Sequence, residues 1–365
     1  SLALAQGPLP PPGAPAPTMR TLEQIEPRTP IPISPVTPIA GPHFTISSPG
    51  SYYLTGNIEV ASGNGINITV SNVTLDLNGF ALISKTVTPA AGTGIDIGSD
   101  LRSIEIKNGR ISGGTVRTFI GPKPWQASFA SKGWSNGILN NGPTSGVLVS
   151  HLTAERCGEY GIFLNGPSSL SHITASNNGV IGIYARQGNI SNASSTNNGE
   201  LGIFASFGSI NNATATNNVH DGIQAQSASI TNAGASNNGG SGIGATYGSV
   251  TNSQATDNGG DGIRADNGSV TNSQATQNGI HGIRASIGNV SNSSSEGNGA
   301  DGIHAPGASV TGCRATGNRT DGIQVDTGVA AHCVAHENNT LGAVGNFQIK
   351  VAVDGQRIGC VPASE

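Results

Sequence analysis

The acidic residues of this 365-residue chain fall into a phase. Asp221, Asp261, Asp301 and Asp321 are separated by multiples of 20 residues, with Ser241 and His281 at the positions between. On a repeat of that length Asp301 and Asp321 become neighbours, and Asp326 follows on the same repeat. Carboxylates that close repel unless a proton or a cation lies between them. Two chemistries fit: an acid/base pair, or a calcium site at Asp301 and Asp321, because calcium takes several oxygen ligands. Against both, each Asp precedes the Gly of a turn, where Asp is common for backbone reasons. The phrase GIHGIRAS, Gly279 to Ser286, sets His281 and Arg284 on either side of Ile283, in the phase of the repeat.

A second concentration of chemistry lies in the segment Gly113 to Ser135, GGTVRTFIGPKPWQASFASKGWS, which interrupts the regular spacing. Both tryptophans of the chain, Trp125 and Trp134, are there, with Arg117, Lys123 and Lys132 nearby. Exposed Trp with basic neighbours can stack on a sugar ring or hold an acidic polysaccharide. The alternative is that the segment folds over a flank and buries both rings. Loops on a rigid scaffold are where function concentrates, so these five residues are the candidate ligand-binding set.

Cys313 and Cys333 are also 20 residues apart, and adjacent repeats would bring their backbones to a separation that suits a disulfide. Stacked free thiols are the alternative, and Cys360 could pair with either. Cys157 reads as a small buried side chain. There is no CxxC motif, so a metal site of that kind is not supported.

The elements that must carry these residues are set by the repeat. Gly-Ile pairs recur every 20 residues from Gly182-Ile183 to Gly322-Ile323, and Gly342 keeps the phase. A fixed period of this size marks a solenoid. One turn reads DGIRADNGSVTNSQATQNGI, Asp261 to Ile280. The Ile column and the Ala column two residues on are constant. The residue between them varies: Tyr184, Phe204, Gln224, Gly244, Arg264, Arg284, His304. This period-two pattern means strands, three short ones per turn, with Ile, Val and Ala filling a narrow bore. Asn recurs in two phases, Asn178 to Asn338 and Asn192 to Asn292. It tolerates left-handed backbone at bends, and stacked amides can hydrogen-bond along a ladder.

On these columns the chain resembles the right-handed parallel β-helix proteins of the pectate-lyase-like group. PGSYYLTGNI (from Pro49) and NVTLDLNGFAL (from Asn72) resemble the opening coils of secreted β-helix-repeat proteins of unassigned function. The resemblance implies an all-β fold over about residues 44 to 345. Residues 1–43 read as the end of a signal peptide (SLALAQ) and a Pro-rich extended segment, and 346–365 as a C-terminal cap. Neither the clustered Asp and Arg base of pectate lyases nor the Gly-His-Gly and Arg-x-Lys motifs of polygalacturonases occur.

Charged residues are only 10% of the chain and the net charge is −4, which gives no reason to expect nucleic acid or membrane insertion. No catalytic residue and no cofactor are assigned. The expected function is a secreted, non-enzymatic structural or adhesive solenoid that self-assembles into extracellular filaments through its tails and coil ends. The alternative is a polysaccharide lyase, hydrolase or carbohydrate-binding protein using the Trp-rich insertion, so the expected partner is a second copy or an extracellular polysaccharide.

Overall fold

In the computed structural model, residues 28–33, 39–87, 90–342, 347–351 and 355–362 are described. The signal-peptide reading and most of the proline-rich segment, residues 1–27 and 34–38, lie outside them. The described chain is all-β: a parallel solenoid of about 15 turns, with three short strands per turn in its regular part. One such turn is Ile263–Ala265, Val270–Thr271 and Gln274–Thr276. Each strand pairs in parallel with its equivalent 20 residues away, Ile243↔Ile263↔Ile283 for example. Like residues therefore stack on like, about 4.8 Å apart.

The bore is filled as the alternation predicts. The Ile column, the Ala column and the Ile190-to-Val310 column are buried. The coil also continues past the regular repeat. Thr29–Ile31 pairs with Gly50–Leu54, and Ile349–Val351 adds to Ile323–Val325. Among the described residues no helix is long and apolar enough to cross a membrane.

The two Asn phases do different work. Asn192, Asn212, Asn232, Asn252, Asn272 and Asn292 have φ between 48° and 53°, and Gly312 takes φ 63° where the Asn run breaks. The left-handed bend is kept through that exchange because Gly meets no Cβ penalty there. Asn178 to Asn338 are buried instead and form a continuous ladder. Asn258 Nδ2, for instance, donates to Asn278 Oδ1 (2.9 Å) and to the Ala235 carbonyl (3.1 Å). The ladder ends on the Cys157 backbone N–H, which donates to Asn178 Oδ1, and on Gln348, whose Oε1 accepts from Asn338. Cys157 is buried at that end, and burial pushes its thiol up to about 12.

The insertion forms an antiparallel hairpin, Val116–Phe119 with Ala127–Ala130, which lies along the corner of the solenoid that carries the Gly199 and Gly239 column. A Cβ on Gly199 would lie 3.2 Å from Phe129, and one on Gly239 only 2.8 Å from Trp125 Cδ1. The rings thus rest on bare glycine backbone. Trp134 is fully buried in the bore, and its Nε1 donates to the Gly63 carbonyl (2.8 Å).

Candidate functional site

The variable position between the Ile and Ala columns forms one straight row on the outside of the coil. Register places Phe163, Tyr184, Phe204, Gln224, Gly244, Arg264, Arg284, His304, Gln324 and Lys350 on it in succession. Three residues earlier in each turn runs the acidic column. Both lie beside the Gly-Ile step, so their side chains meet.

Each Asp of the column divides its two oxygens between scaffold and surface. One Oδ accepts the backbone N–H of the next coil: Ser241 on Asp221 (2.6 Å), His281 on Asp261 (3.1 Å), Asp321 on Asp301 (3.0 Å), and Phe347 on Asp321. The bond is a backbone role, but it runs between coils rather than within the turn that follows each Asp. In Asp261, Asp301 and Asp321 the other oxygen faces a side chain of the neighbouring row. Asp261 lies 4.0 Å from Arg284, Asp321 3.4 Å from Lys350, and Asp301 2.9 Å from His304 Nδ1. Asp301 and Asp321 thus each turn an oxygen to a different partner, His304 and Lys350.

The centre of the row is Asp301 with two imidazoles. His304 Nδ1 is 2.9 Å and His281 Nδ1 3.5 Å from Asp301 Oδ2, and the rings stack 4.5 Å apart. Burial alone would raise the Asp301 carboxyl. Hydrogen bonds from His304 and Thr320, with the nearby His281, outweigh it and hold the carboxyl below its usual range. His281 is shifted down, first by burial and then by His304, against the pull of Asp261 and Asp301. The two rings are held in opposite tautomers. The Asp301 backbone N–H donates to His281 Nδ1 (3.3 Å), so neutral His281 carries its proton on Nε2. His304 donates its Nδ1 proton to the carboxylate, which leaves its Nε2 a free base.

Towards the N-terminal side, Ser241 and Gly244 replace an acid and a long side chain. Their smallness opens a notch of about 40 Å³ lined by Asp221, Gln224, Ser241, Gly244, Thr246, Arg264 and Asp266. Asp266 binds Arg264 through both oxygens (3.0 and 2.9 Å). Burial pushes the Asp221 carboxyl up, only partly offset by the Ser241 N–H, His220 and Arg264. Beyond the notch stands an aromatic ladder, Phe163, Tyr184 and Phe204, stacked 4.6 and 5.0 Å apart, with Tyr160 edge-on. Arg284 Nε is shielded from water, yet among the described residues no acceptor reaches it.

The five candidate residues of the insertion are not brought together. Trp134 is in the core. Arg117 is spent within its own hairpin, donating to the Pro124 carbonyl and stacking on Phe119, 4.3 Å from the ring centroid. Lys123 lies over the half-buried Trp125 ring at 5.4 Å, and Lys132 is exposed. Of this set Trp125 comes nearest the notch, resting on Gly239 while the next residue, Gly240, packs against Asp221. The cysteines Cys157, Cys313, Cys333 and Cys360 are all free thiols; Cys313, Cys333 and Cys360 stack in one column. The row itself had a signal in the sequence: an acid or His followed three residues later by Arg or His, as in Asp261/Arg264, His281/Arg284 and Asp301/His304.

No family model matches the sequence, and curated protein sequences yield no match. Solved structures do match in fold. The A-module of Azotobacter vinelandii mannuronan C-5 epimerase AlgE6 superposes with a TM-score of 0.54 at 15% identity, over 87% of this chain and 92% of that one. The AlgE4 A-module from the same organism gives 0.50 at 14% identity, over 87% and 89%. The chain is thus a right-handed parallel β-helix protein. The expectation of a non-enzymatic structural filament is corrected by the same finding. The two A-modules that share this fold over nearly its whole length are named as epimerases rather than as structural filaments, and this chain sets acids beside a row of imidazole and guanidinium groups.

Proposed function

We propose that this protein binds an acidic polysaccharide along the Asp/His/Arg row and catalyses proton transfer at a carbon next to a uronate carboxylate. The observation that carries the reading is the Asp301–His304–His281 group: a free imidazole base and an imidazole N–H donor side by side, oriented by one carboxylate. Such a pair can take a proton and supply one at the same sugar ring. Arg284 supplies the charge for the substrate carboxylate, since its side chain stays 41% exposed on the row. The straight run of the row along the solenoid suits a polymer laid parallel to the axis. The aromatic ladder and Trp125 flank the notch end, where an apolar sugar face would rest. On this reading the protein works where such a polymer is found, outside the cytoplasm. The fold neighbours act on mannuronan at C-5, and the same class of chemistry is proposed here.

Calorimetric titration with soluble polyuronates, and with a neutral glucan as control, tests the binding half. Wild type should bind the polyuronate only. Arg284→Ala should weaken binding about tenfold, the loss of one charge-assisted contact. Equal binding of the neutral glucan, or an unchanged Arg284→Ala, would count against the reading.

A further inference from the structure

We infer that His281, Asp301 and His304 form a binding site for a single first-row transition-metal dication such as Zn²⁺. One nitrogen of each imidazole and one carboxylate oxygen all lie within 4.8 Å of one another. Both nitrogens face the same oxygen, at 2.9 and 3.5 Å. A metal about 2.0–2.2 Å from each donor sets ligand atoms at nearly these separations, so little movement is needed. The required movement is a tilt of the two rings, now 4.5 Å apart and 19° from parallel, toward each other.

The carboxylate is positioned from behind as metal-binding carboxylates are. Asp301 Oδ1 accepts from the Asp321 N–H and the Thr320 hydroxyl, which fixes Oδ2 toward the imidazoles. The imidazole side chains keep 20% and 22% exposure, so an ion can enter from solvent and keep water as its fourth ligand. Two nitrogens and one oxygen suit zinc rather than calcium, which wants six or more oxygens. His151 and His172 supply an internal comparison. They stack at the same 4.5 Å on the outside of the coil, and no carboxylate is placed between them.

Binding moves one proton within the site. Asp301 and His281 contribute lone pairs they already hold, whereas the His304 Nδ1 proton passes to its Nε2 as the metal takes Nδ1. No proton need be released, but both imidazoles then present N–H outward. On the proposed function, and only on it, zinc would therefore remove the base and leave the glycan donors in place.

The test uses the untagged, chelator-stripped full chain and needs no glycan. Titration with ZnCl₂ should show one saturable site, and Co²⁺ should develop visible bands of a low-symmetry site. His281→Ala and His304→Ala should each weaken zinc about tenfold or more, whereas His151→Ala and His172→Ala should not. Excess CaCl₂ should not compete. Absence of saturable binding to wild type, or binding that persists in the His281→Ala/His304→Ala double variant, overturns the site. Glycan titrations run in chelator stay separate, so failure of the metal site and failure of the glycan reading are told apart.

Discussion

At the scale of single residues, the acidic column shows how one side chain can be both scaffold and chemistry. Asp221, Asp261, Asp301 and Asp321 each spend one oxygen on the backbone of the next coil, and Asp261, Asp301 and Asp321 turn the other to the neighbouring row. Reading them as turn residues finds a backbone role but neither its inter-coil partner nor the second oxygen, because a sequence does not say which way a carboxylate's free edge points. Asp221 gives a prediction on pH. Its carboxyl is raised by burial, so the folded state holds that proton to higher pH than the unfolded chain does. Its contribution to stability is full below the unfolded value and is lost as pH rises through the raised folded value. Asn can keep the Ser241 N–H bond without the buried charge. Asp221→Asn should therefore gain on wild type in chemical denaturation as pH goes from about 3 to about 7. A constant or shrinking difference would show that the carboxylate is not held against its charge.

At the scale of the element, each coil is specified by columns rather than by local propensity. Ile, Ala, Val and Asn recur in phase, and every constant column turned out to face the bore or a bend. The fold could be derived from that constancy alone. The site could not, since it sits in the column that varies. Variation from Phe204 to Gly244 to His304 looks like an unconstrained outer face until register shows that it changes in blocks: aromatic, small, then ionic. The insertion's two Trp residues have opposite fates: Trp134 is buried and donates to the Gly63 carbonyl, while Trp125 rests half-buried on Gly239. The Asn ladder sets the energy scale of a coil. The Asn258 side chain makes four hydrogen bonds, receiving the Asn238 N–H (3.1 Å) and Nδ2 (2.9 Å) and donating to Asn278 and Ala235. Asn258→Ala leaves those buried groups unpaired, so it should cost about 3 kcal/mol and lower the guanidinium midpoint. A change within error would mean the ladder is redundant with the strand pairing.

At the scale of the whole molecule, the stacked coils turn a one-dimensional repeat into a ruler. Coil spacing of about 4.8 Å carries any residue type forward in register, so an ionic block becomes a linear groove without a loop or a second domain. On the outer row Arg264, Arg284, His304 and Lys350 fall in register, with Asp261, Asp301 and Asp321 in the column beside them. The most direct measurement is deuterium incorporation into a soluble polyuronate in D₂O, read by proton NMR in the presence of chelator. Wild type should exchange hydrogen at the carbon beside the carboxylate, and His304→Ala should lose that exchange while still binding the polymer. No exchange by wild type on any polyuronate, or equal exchange by His304→Ala, would contradict the assignment of this row as a catalytic site.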